Sequence, residues 1–430
     1  NEVNIKIPLN REMIEGRLAE ADRNTFLVEM TDDVAAIVLE DNRLQTLALS
    51  VAESRAADML RTDVRVIETL EAAGRLDRKV EGLASNEDLL RRGQDGHGLT
   101  RPELAVLLAH TKLFLQAALE ASPVPGDPSL EPILEAAFPP AMRARFAGAI
   151  DAHRLRTELI ATKVANKVVN RLGFGTVMEL AEDEGVSIAQ VAAAYLAIDA
   201  IFDLATLWDD IDAAGIDERA RLTLLRITAA IARLHIADLL RASPQDALPG
   251  AMADAVAPGI ARIAAATGDL LRDEARRSSA NLRQIVTVDG ADPALIDRIV
   301  HLAEMDGAIG TATLANRLGT GEVAATTAYV RLGEALGLDW AKAAALRLQP
   351  TDPWERLLAA GLIRDFEQLR LDFLGRSEGE PLAVLDQWLA AHEPRIAQFR
   401  ALVARAQNAA QPTTTMLAQI ASQARVLLGR

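Results

Sequence analysis

The groups in this chain that could do chemistry are six histidines, a large excess of carboxylates and several Gly-rich turns. Two imidazoles three to five residues apart on one helix face can hold zinc. His97, His110, His153, His235, His301 and His392 contain no such pair. His110 lies between Leu107 and Phe114, and His235 between Ile231 and Leu239, so both are expected at the edge of an apolar core. His97 falls in a Gly-rich turn and reads as solvated. Gly93, Gly96 and Gly98 invite a phosphate loop, but the spacing is not G-x-G-x-x-G, no strand precedes it and no Gly-Lys-Ser/Thr follows. They read instead as a flexible approach to a helix cap at Thr100. Gly173-Phe174-Gly175 reads as the end of one helix and the start of the next. Paired carboxylates can serve acid–base work or bind divalent cations. Glu182-Asp183-Glu184 and the trio Asp209, Asp210 and Asp212 flank helix ends on an acidic chain, where solvated faces are expected. Thr162, Asn166 and Asn170 share a helix face and read as a polar seam against a neighbour, because Lys163 and Lys167 already give that helix solvating charge. Trp208, Trp340, Trp354 and Trp388 read as core or interface anchors. No Ser/His/Asp arrangement is evident. No residue is assigned a catalytic, cofactor-binding or metal-ligating role.

The elements that carry these groups read as helices almost throughout. Thr31-Asp32-Asp33 reads as an N-cap with acidic first turn, and Val34, Ile37, Val38, Leu44, Leu47 and Val51 recur at helical spacing in a pattern persisting to Ala73, with Gly74 as the stop. Ser85 signals another cap. Thr100-Arg101-Pro102-Glu103 is a capping box ahead of a stripe of Leu104, Leu108, Leu115 and Ala118. The segment 122–132 holds four prolines and reads as a linker. Helices are expected over 155–172, with Ile160, Val164 and Val168 inward, and over 217–240, with Leu224, Ile227, Ile231 and Leu234 in register. The segments 244–258 and 375–381 read as loop-rich. The last helix, capped by Thr413 to Thr415, carries Leu417, Ile420, Ala424 and Leu427. Val3 to Ile7 alternates like a strand, and Gln284 to Val288 could extend briefly. A shift of 134 positions superposes Gly173 on Gly307, Leu180 on Leu314, Gly185 on Gly319 and Tyr195 on Tyr329, as a duplicated set of helices would.

At 430 residues, with roughly 100 to 200 per domain, about two to four units are expected. The apolar half of the composition holds only 3% aromatics, so it is mostly Ala, Leu, Ile and Val, which favours helix. The fold class is therefore mainly all-α: a multi-helix bundle or stacked helical hairpins, with at most a short strand near the N-terminus. The expected division is a joining segment 1–30 and helical modules 31–126, 127–290 and 291–430. There is no cysteine, so disulfides and thiolate metal sites are excluded, and the chain fits the cytoplasm. A net charge of −15 repels phosphate backbones and anionic bilayers, so neither nucleic acid nor membrane is an expected partner. No apolar run reaches the ~20 residues of a bilayer span; Val191 to Phe202 is broken by Asp199. The opening at Asn1 without a methionine suggests a segment of a longer polypeptide.

Two stretches carry a resemblance. LTRPELAVLLAHTK (Leu99 to Lys112) and TELIATKVANKVVNRLG (Thr157 to Gly173) are similar to the C-terminal part of the large NAD-specific glutamate dehydrogenases of bacteria. Glu2-Val3-Asn4-Ile5-Lys6-Ile7 resembles the segment that closes that family's dehydrogenase core, with Asn1 where the family has histidine; 178–208 and 338–370 match more loosely. The resemblance implies an enzyme converting L-glutamate, NAD and water to 2-oxoglutarate, ammonium and NADH. It also implies that the substrate lysines, the catalytic aspartate and the dinucleotide fold precede this segment, so the segment binds no cofactor of its own. A nicotinamide pocket is typically built on a parallel sheet, which these helical patterns do not supply. The expected role is structural, oligomerising or regulatory, with the catalytic core and neighbouring subunits of a homo-oligomer as partners. Two other readings stay open: an independent helical protein-interaction scaffold, and a module binding a small anion or amino acid.

Overall fold

The computed structural model describes residues 2–350, 352–376 and 379–429. Asn1 lies outside them, as do Ser377 and Glu378 of the expected 375–381 loop. The described residues form 23 α-helices and no strand. In chain order these are α1 (Glu2–Ile14), α2 (Glu20–Glu29), α3 (Thr31–Glu53), α4 (Ala56–Ala72), α5 (Asn86–Gln94), α6 (Arg101–Glu120), α7 (Glu131–Glu135) and α8 (Pro140–Asp151). Then come α9 (Arg156–Leu172), α10 (Phe174–Glu184), α11 (Ile188–Phe202), α12 (Leu204–Ala213), α13 (Glu218–Ala242), α14 (Pro249–Leu270), α15 (Asp273–Val286) and α16 (Pro293–Glu304). The rest are α17 (Ala308–Leu318), α18 (Glu322–Leu336), α19 (Leu338–Leu346), α20 (Pro353–Gly375), α21 (Pro381–Ala391), α22 (Glu393–Gln407) and α23 (Thr414–Leu427). They gather into two compact units. The first holds 1–197, 218–233 and 244–252; the second holds 198–217, 234–243 and 253–430.

Five local expectations are corrected, the first at 244–258, which is helical from Pro249 onward instead of loop-rich throughout. Val3 to Ile7 is helical, not extended. The buried set is Ile5, Pro8 and Leu9, an i, i+3, i+4 stripe, while Val3 faces solvent. Pro8 has no N–H for the carbonyl of Asn4. His153 supplies the missing donor, its Nε2 lying 3.0 Å from that oxygen while its Nδ1 accepts from the Leu155 amide. Gln284 to Val286 likewise stays helical, and the chain becomes extended only at Thr287. The pattern from Val34 to Ala73 is two helices, broken at Ser54–Arg55, and Thr31 is a first-turn residue rather than a cap. On α13 the buried face is Leu224, Leu225, Thr228, Ala232, His235, Ile236 and Leu239, rotated from the expected stripe.

Other signals are met. Ser85 Oγ caps α5 by accepting the Asp88 amide, and the Glu103 carboxylate accepts the Thr100 amide at 2.7 Å. In the first unit α6 packs along α9, and both lean on α3. Leu104, Leu107, Leu108, Leu115 and Leu119 meet Ile160, Val164, Val168 and Leu172 there as buried faces. In the second unit the core runs from Tyr329, Leu332 and Leu336 through Leu362, Phe366 and Leu369 to Leu417, Ile420 and Ala424.

The repeat is visible in the elements themselves. The shift of 134 positions carries α10 onto α17 and α11 onto α18 at both ends, and α12 and α13 onto α19 and α20 within about a residue. Gly173 and Gly307 share φ near +80°, and Gly185 and Gly319 φ near +65°. Asp203, the single non-Gly residue of positive φ among those described, stands where the second copy has Gly337. Tyr195 and Tyr329 are both buried. Matching end points over four successive helices are what duplication of one helical set produces.

Candidate functional site

Most of the groups with chemical potential are tied into the frame. His97 and His301 are exposed; His110 reaches the Arg75 carbonyl and Glu81. His235 is fully buried rather than at a core edge. It sits beside Phe202, donates from Nε2 to the Leu302 carbonyl at 2.8 Å, and burial pushes its pKa down. Glu182 and Asp183 pair with Arg65 and Arg233, and Asp210 with Arg298. Among the described residues no three His, Asp or Glu groups gather as a metal-ligand set. Trp208 is buried, Trp340 and Trp388 half-buried, and Trp354 exposed. Among the described residues no single helix is long and apolar enough to cross a membrane.

Gly98 is not merely flexible. A Cβ there would lie 2.0 Å from the Ala56 carbonyl carbon, so the turn presses directly on the start of α4. The polar stripe on α9 is half-buried, and Lys163 is not a solvating charge: its Nζ donates to Asp41 of α3 at 2.9 Å. That pairing leaves Lys112 of α6 without a hydrogen bond. Burial lowers its pKa to about 8, with Asp41 opposing.

Asp63 of α4 is another titratable group of the first unit displaced by burial. Burial first, and the Glu179 charge second, push its carboxyl up to about 7, and its Oδ2 has no hydrogen-bond partner. A carboxyl whose folded pKa exceeds its unfolded value holds a proton that the unfolded chain has lost. Its contribution to stability therefore falls as pH rises from about 4 to about 7. Asp63→Asn removes that loss. Three pKa units correspond to about 4 kcal/mol, and the buried unpaired amide takes back about 1–3. A gain of about 2 kcal/mol is expected at pH 8 and, with only the amide cost remaining, a loss of about 1–3 kcal/mol at pH 4, read by urea unfolding followed by far-UV circular dichroism. A loss at pH 8 would show that Asp63 is an ionised, paired carboxylate.

The densest polar site lies inside the second unit. Lys342 of α19 is buried, with Nζ 2.8 Å from both oxygens of Asp306 and 3.5 Å from Glu367 of α20. Burial alone would lower its pKa, but Asp306 and Glu367 outweigh burial and hold it above the usual value. Arg370 is sealed in. It donates to Asp339 at 2.5 Å and to the Phe366 carbonyl at 2.9 Å, and lies over the Tyr329 ring at 3.9 Å. Arg241 of α13 pairs with Asp238 and reaches Glu367 at 3.5 Å. Burial, then the Glu367 charge, push the Asp238 carboxyl well above the usual range. Four carboxylates (Asp238, Asp306, Asp339, Glu367) thus face three cations. Three carboxylate oxygens here receive no hydrogen bond: Asp238 Oδ2 and both oxygens of Glu367. Asp238 and Glu367 line a cleft of about 220 Å³, whose rim carries Arg317.

Nothing in residue spacing announced this cluster. Asp238/Arg241, Asp339/Lys342 and Glu367/Arg370 are acid–base pairs three residues apart, which on most helices mark a solvated face. The repeat is the signal that separates them. At the positions of Lys342, Glu367 and Arg370 the first copy has Trp208, Arg233 and Ile236. The same helical frame therefore forms with apolar groups at two of the three positions.

A family model described as "Glutamate dehydrogenase, C-terminal" matches residues 96–425, and one described as "Bacterial NAD-glutamate dehydrogenase, catalytic domain" matches residues 1–52. The chain is 31% identical to an NAD-specific glutamate dehydrogenase of Halomonas elongata and 33% identical to one of Pseudomonas aeruginosa, each over 94% of its own length. It is 36% identical to an NAD-specific glutamate dehydrogenase of Mycobacterium tuberculosis over 50% of its length and 13% of the relative. The chain spans 25% of the length of the first two relatives.

Proposed function

The chain belongs to the glutamate dehydrogenase C-terminal family, and from that premise we propose that it is a non-catalytic helical region of an NAD-specific glutamate dehydrogenase. In this reading the whole protein oxidises L-glutamate with NAD and water to 2-oxoglutarate, ammonium and NADH in the cytoplasm. The helical region positions the catalytic core and joins subunits of a homo-oligomer. In the same reading a joining segment 1–30 precedes helical modules 31–126, 127–290 and 291–430.

One observation supports this role above the others. The residues matched by the catalytic-domain family model, 1–52, fold as α1, α2 and most of α3, yet they leave large apolar side chains uncovered. Val3, Ile14, Val28 and Leu39 are each about two-thirds exposed or more, and α3 buries only Ala48 along its whole length. A helix of that length with so little buried needs a further surface to pack on. The match of residues 1–52 to a catalytic-domain model supports the rest of a dehydrogenase core as that surface.

The test has two readouts. The 430-residue chain, given L-glutamate and NAD, should form no NADH at 340 nm; turnover would overturn the non-catalytic assignment. Sedimentation velocity should show association that strengthens with concentration and is lost in Val28→Glu/Leu39→Glu. A chain monomeric at every concentration would remove the subunit-joining role from this face.

A further inference from the structure

The two copies of the repeat bury the same face of one helix and differ at its rim. At a shift of 134 positions Leu225 and Ala359, Ala232 and Phe366, and Leu239 and Phe373 are buried in both α13 and α20. Two further positions differ. Ala220 and Leu224 are buried in α13, whereas their counterparts Trp354 and Leu358 are 82% and 44% exposed. Leu357 is exposed beside them, and Gly361 continues the stripe one turn on. Trp354, Leu357, Leu358 and Gly361 stand at i, i+3, i+4 and i+7, the spacing of one helix face. Thr414 Oγ1 donates to Glu355 at 3.2 Å, which brings the first turn of α23 and its exposed Met416 alongside. An apolar stripe led by an open tryptophan marks a contact surface.

We propose that this face of α20 pairs with the same face of a second copy of the chain about a two-fold axis. A two-fold contact needs a surface that complements itself. Laid antiparallel on its twin, with the axis between Leu357 and Leu358, α20 sets Leu357 against the partner's Leu358 and Trp354 against the partner's Gly361. Gly361 is a recess: a Cβ there would meet nothing within 4 Å, so the space above it is free for an indole. The charges follow the same symmetry. Arg364, exposed and without an ion pair among the described residues, comes opposite the partner's Asp352. Asp352 Oδ1 accepts the Trp354 and Glu355 amides at 2.9 and 3.0 Å, which leaves Oδ2 for the guanidinium. Asp365, next to Arg364, is already paired with Arg425 and does not compete. The contact is one helix pair wide, with about 150–250 Å² from each tryptophan. That is the size class of weak contacts, and a dissociation constant of about 1 mM is expected for free chains, beyond the reach of sedimentation velocity. Such a pairing takes effect where other surfaces already hold subunits close. It deepens the subunit-joining role proposed above and rests on that reading only for its place in an assembly.

The chain holds no cysteine, so a single introduced thiol reports only its own surroundings. Leu358→Cys is placed in the Val28→Glu/Leu39→Glu background, where the α1–α3 face is disabled, so failure of one face cannot pass for failure of the other. The probe is a short bis-maleimide matched to the about 8–10 Å between packed helix axes. Covalent dimer, normalised to labelling by N-ethylmaleimide, is expected to form at least fivefold faster than from Leu113→Cys, a 59% exposed position on α6. Adding Gly361→Gln fills the recess and should remove that advantage. Far-UV circular dichroism should stay unchanged, because the added side chain points into open space. Arg364→Glu sets acid against the partner's Asp352 and should slow cross-linking at least threefold. Cross-linking no faster than at Leu113→Cys, or unchanged by both substitutions, would overturn the proposal. So would a Leu358→Cys thiol shielded from maleimide in a longer form of the protein that gives no cross-linked dimer, since the face would then belong to another segment of the same polypeptide.

Discussion

Lys342→Met is expected to destabilise the second unit by about 3–5 kcal/mol, the loss typical when one partner of a buried ion pair is removed. The methionine fills nearly the same volume, so the effect isolates the charge. Lys342 is 5% exposed. Of its two partners, Asp306 faces solvent and can recover water, whereas Glu367 cannot. Without Lys342 the Glu367 carboxylate keeps only Arg241, which already serves Asp238. The penalty therefore belongs to the neighbours that remain. The double variant Lys342→Met/Glu367→Gln should recover about half of the loss, a coupling that additive sites would not show. Urea unfolding followed by tryptophan fluorescence reads this directly, because Trp208, Trp340, Trp354 and Trp388 all belong to the second unit. An unchanged midpoint in Lys342→Met would mean that the lysine is solvated and the cluster open.

The first copy of the repeat explains why the charge is an addition rather than a need of the fold. Trp208 sits buried at the position of Lys342, and Ile236 at that of Arg370. Ridges of side chains set how helices pack, and both copies supply them. What the second copy adds is a set of charges that must be mutually satisfied, which restricts the unit to one arrangement.

The helical class, the caps at Ser85 and Thr100 and the duplicated frame were legible in the sequence because each rests on local spacing. The misreadings share a cause as well. Val3, Ile5 and Ile7 fit a two-residue period as well as Ile5 and Leu9 fit a helical one; only the packing of Leu9 and the His153 bond to Asn4 decide between them. The buried face of α13 was misplaced because Thr228 is polar and was not counted as core, and His235 was set only at its edge. The charged cluster was invisible for a third reason. Its members come from α13, α19, α20 and the turn before α17, and each helix alone shows an ordinary surface pair. Long-range proximity, not residue type, makes them a site.

Gly98→Ala is expected to cost at least about 3 kcal/mol, at the upper end of what overpacking a filled site costs. The reason is position rather than backbone conformation, since Gly98 does not have a left-handed φ. Its missing side chain faces backbone: a Cβ would stand 2.0 Å from the carbonyl carbon of Ala56 and 2.1 Å from its oxygen. Backbone cannot rotate aside as a side chain can, so the turn or the start of α4 has to move. The turn leads straight into the Thr100–Glu103 cap, which Arg92 braces at 2.7 Å, and α6 behind it carries the leucines that pack on α9. Displacing the turn therefore loosens the main helix pair of the first unit. Gly96, two residues earlier, provides the contrast. Its φ of +78° strains any L-residue, but nothing lies within 4 Å of a Cβ there, so Gly96→Ala is expected to cost only about 1–2 kcal/mol. Far-UV circular dichroism in urea compares the two variants on the same chain. If Gly96→Ala proved the more damaging, conformational freedom would be what this turn requires, and the close approach to α4 would be incidental.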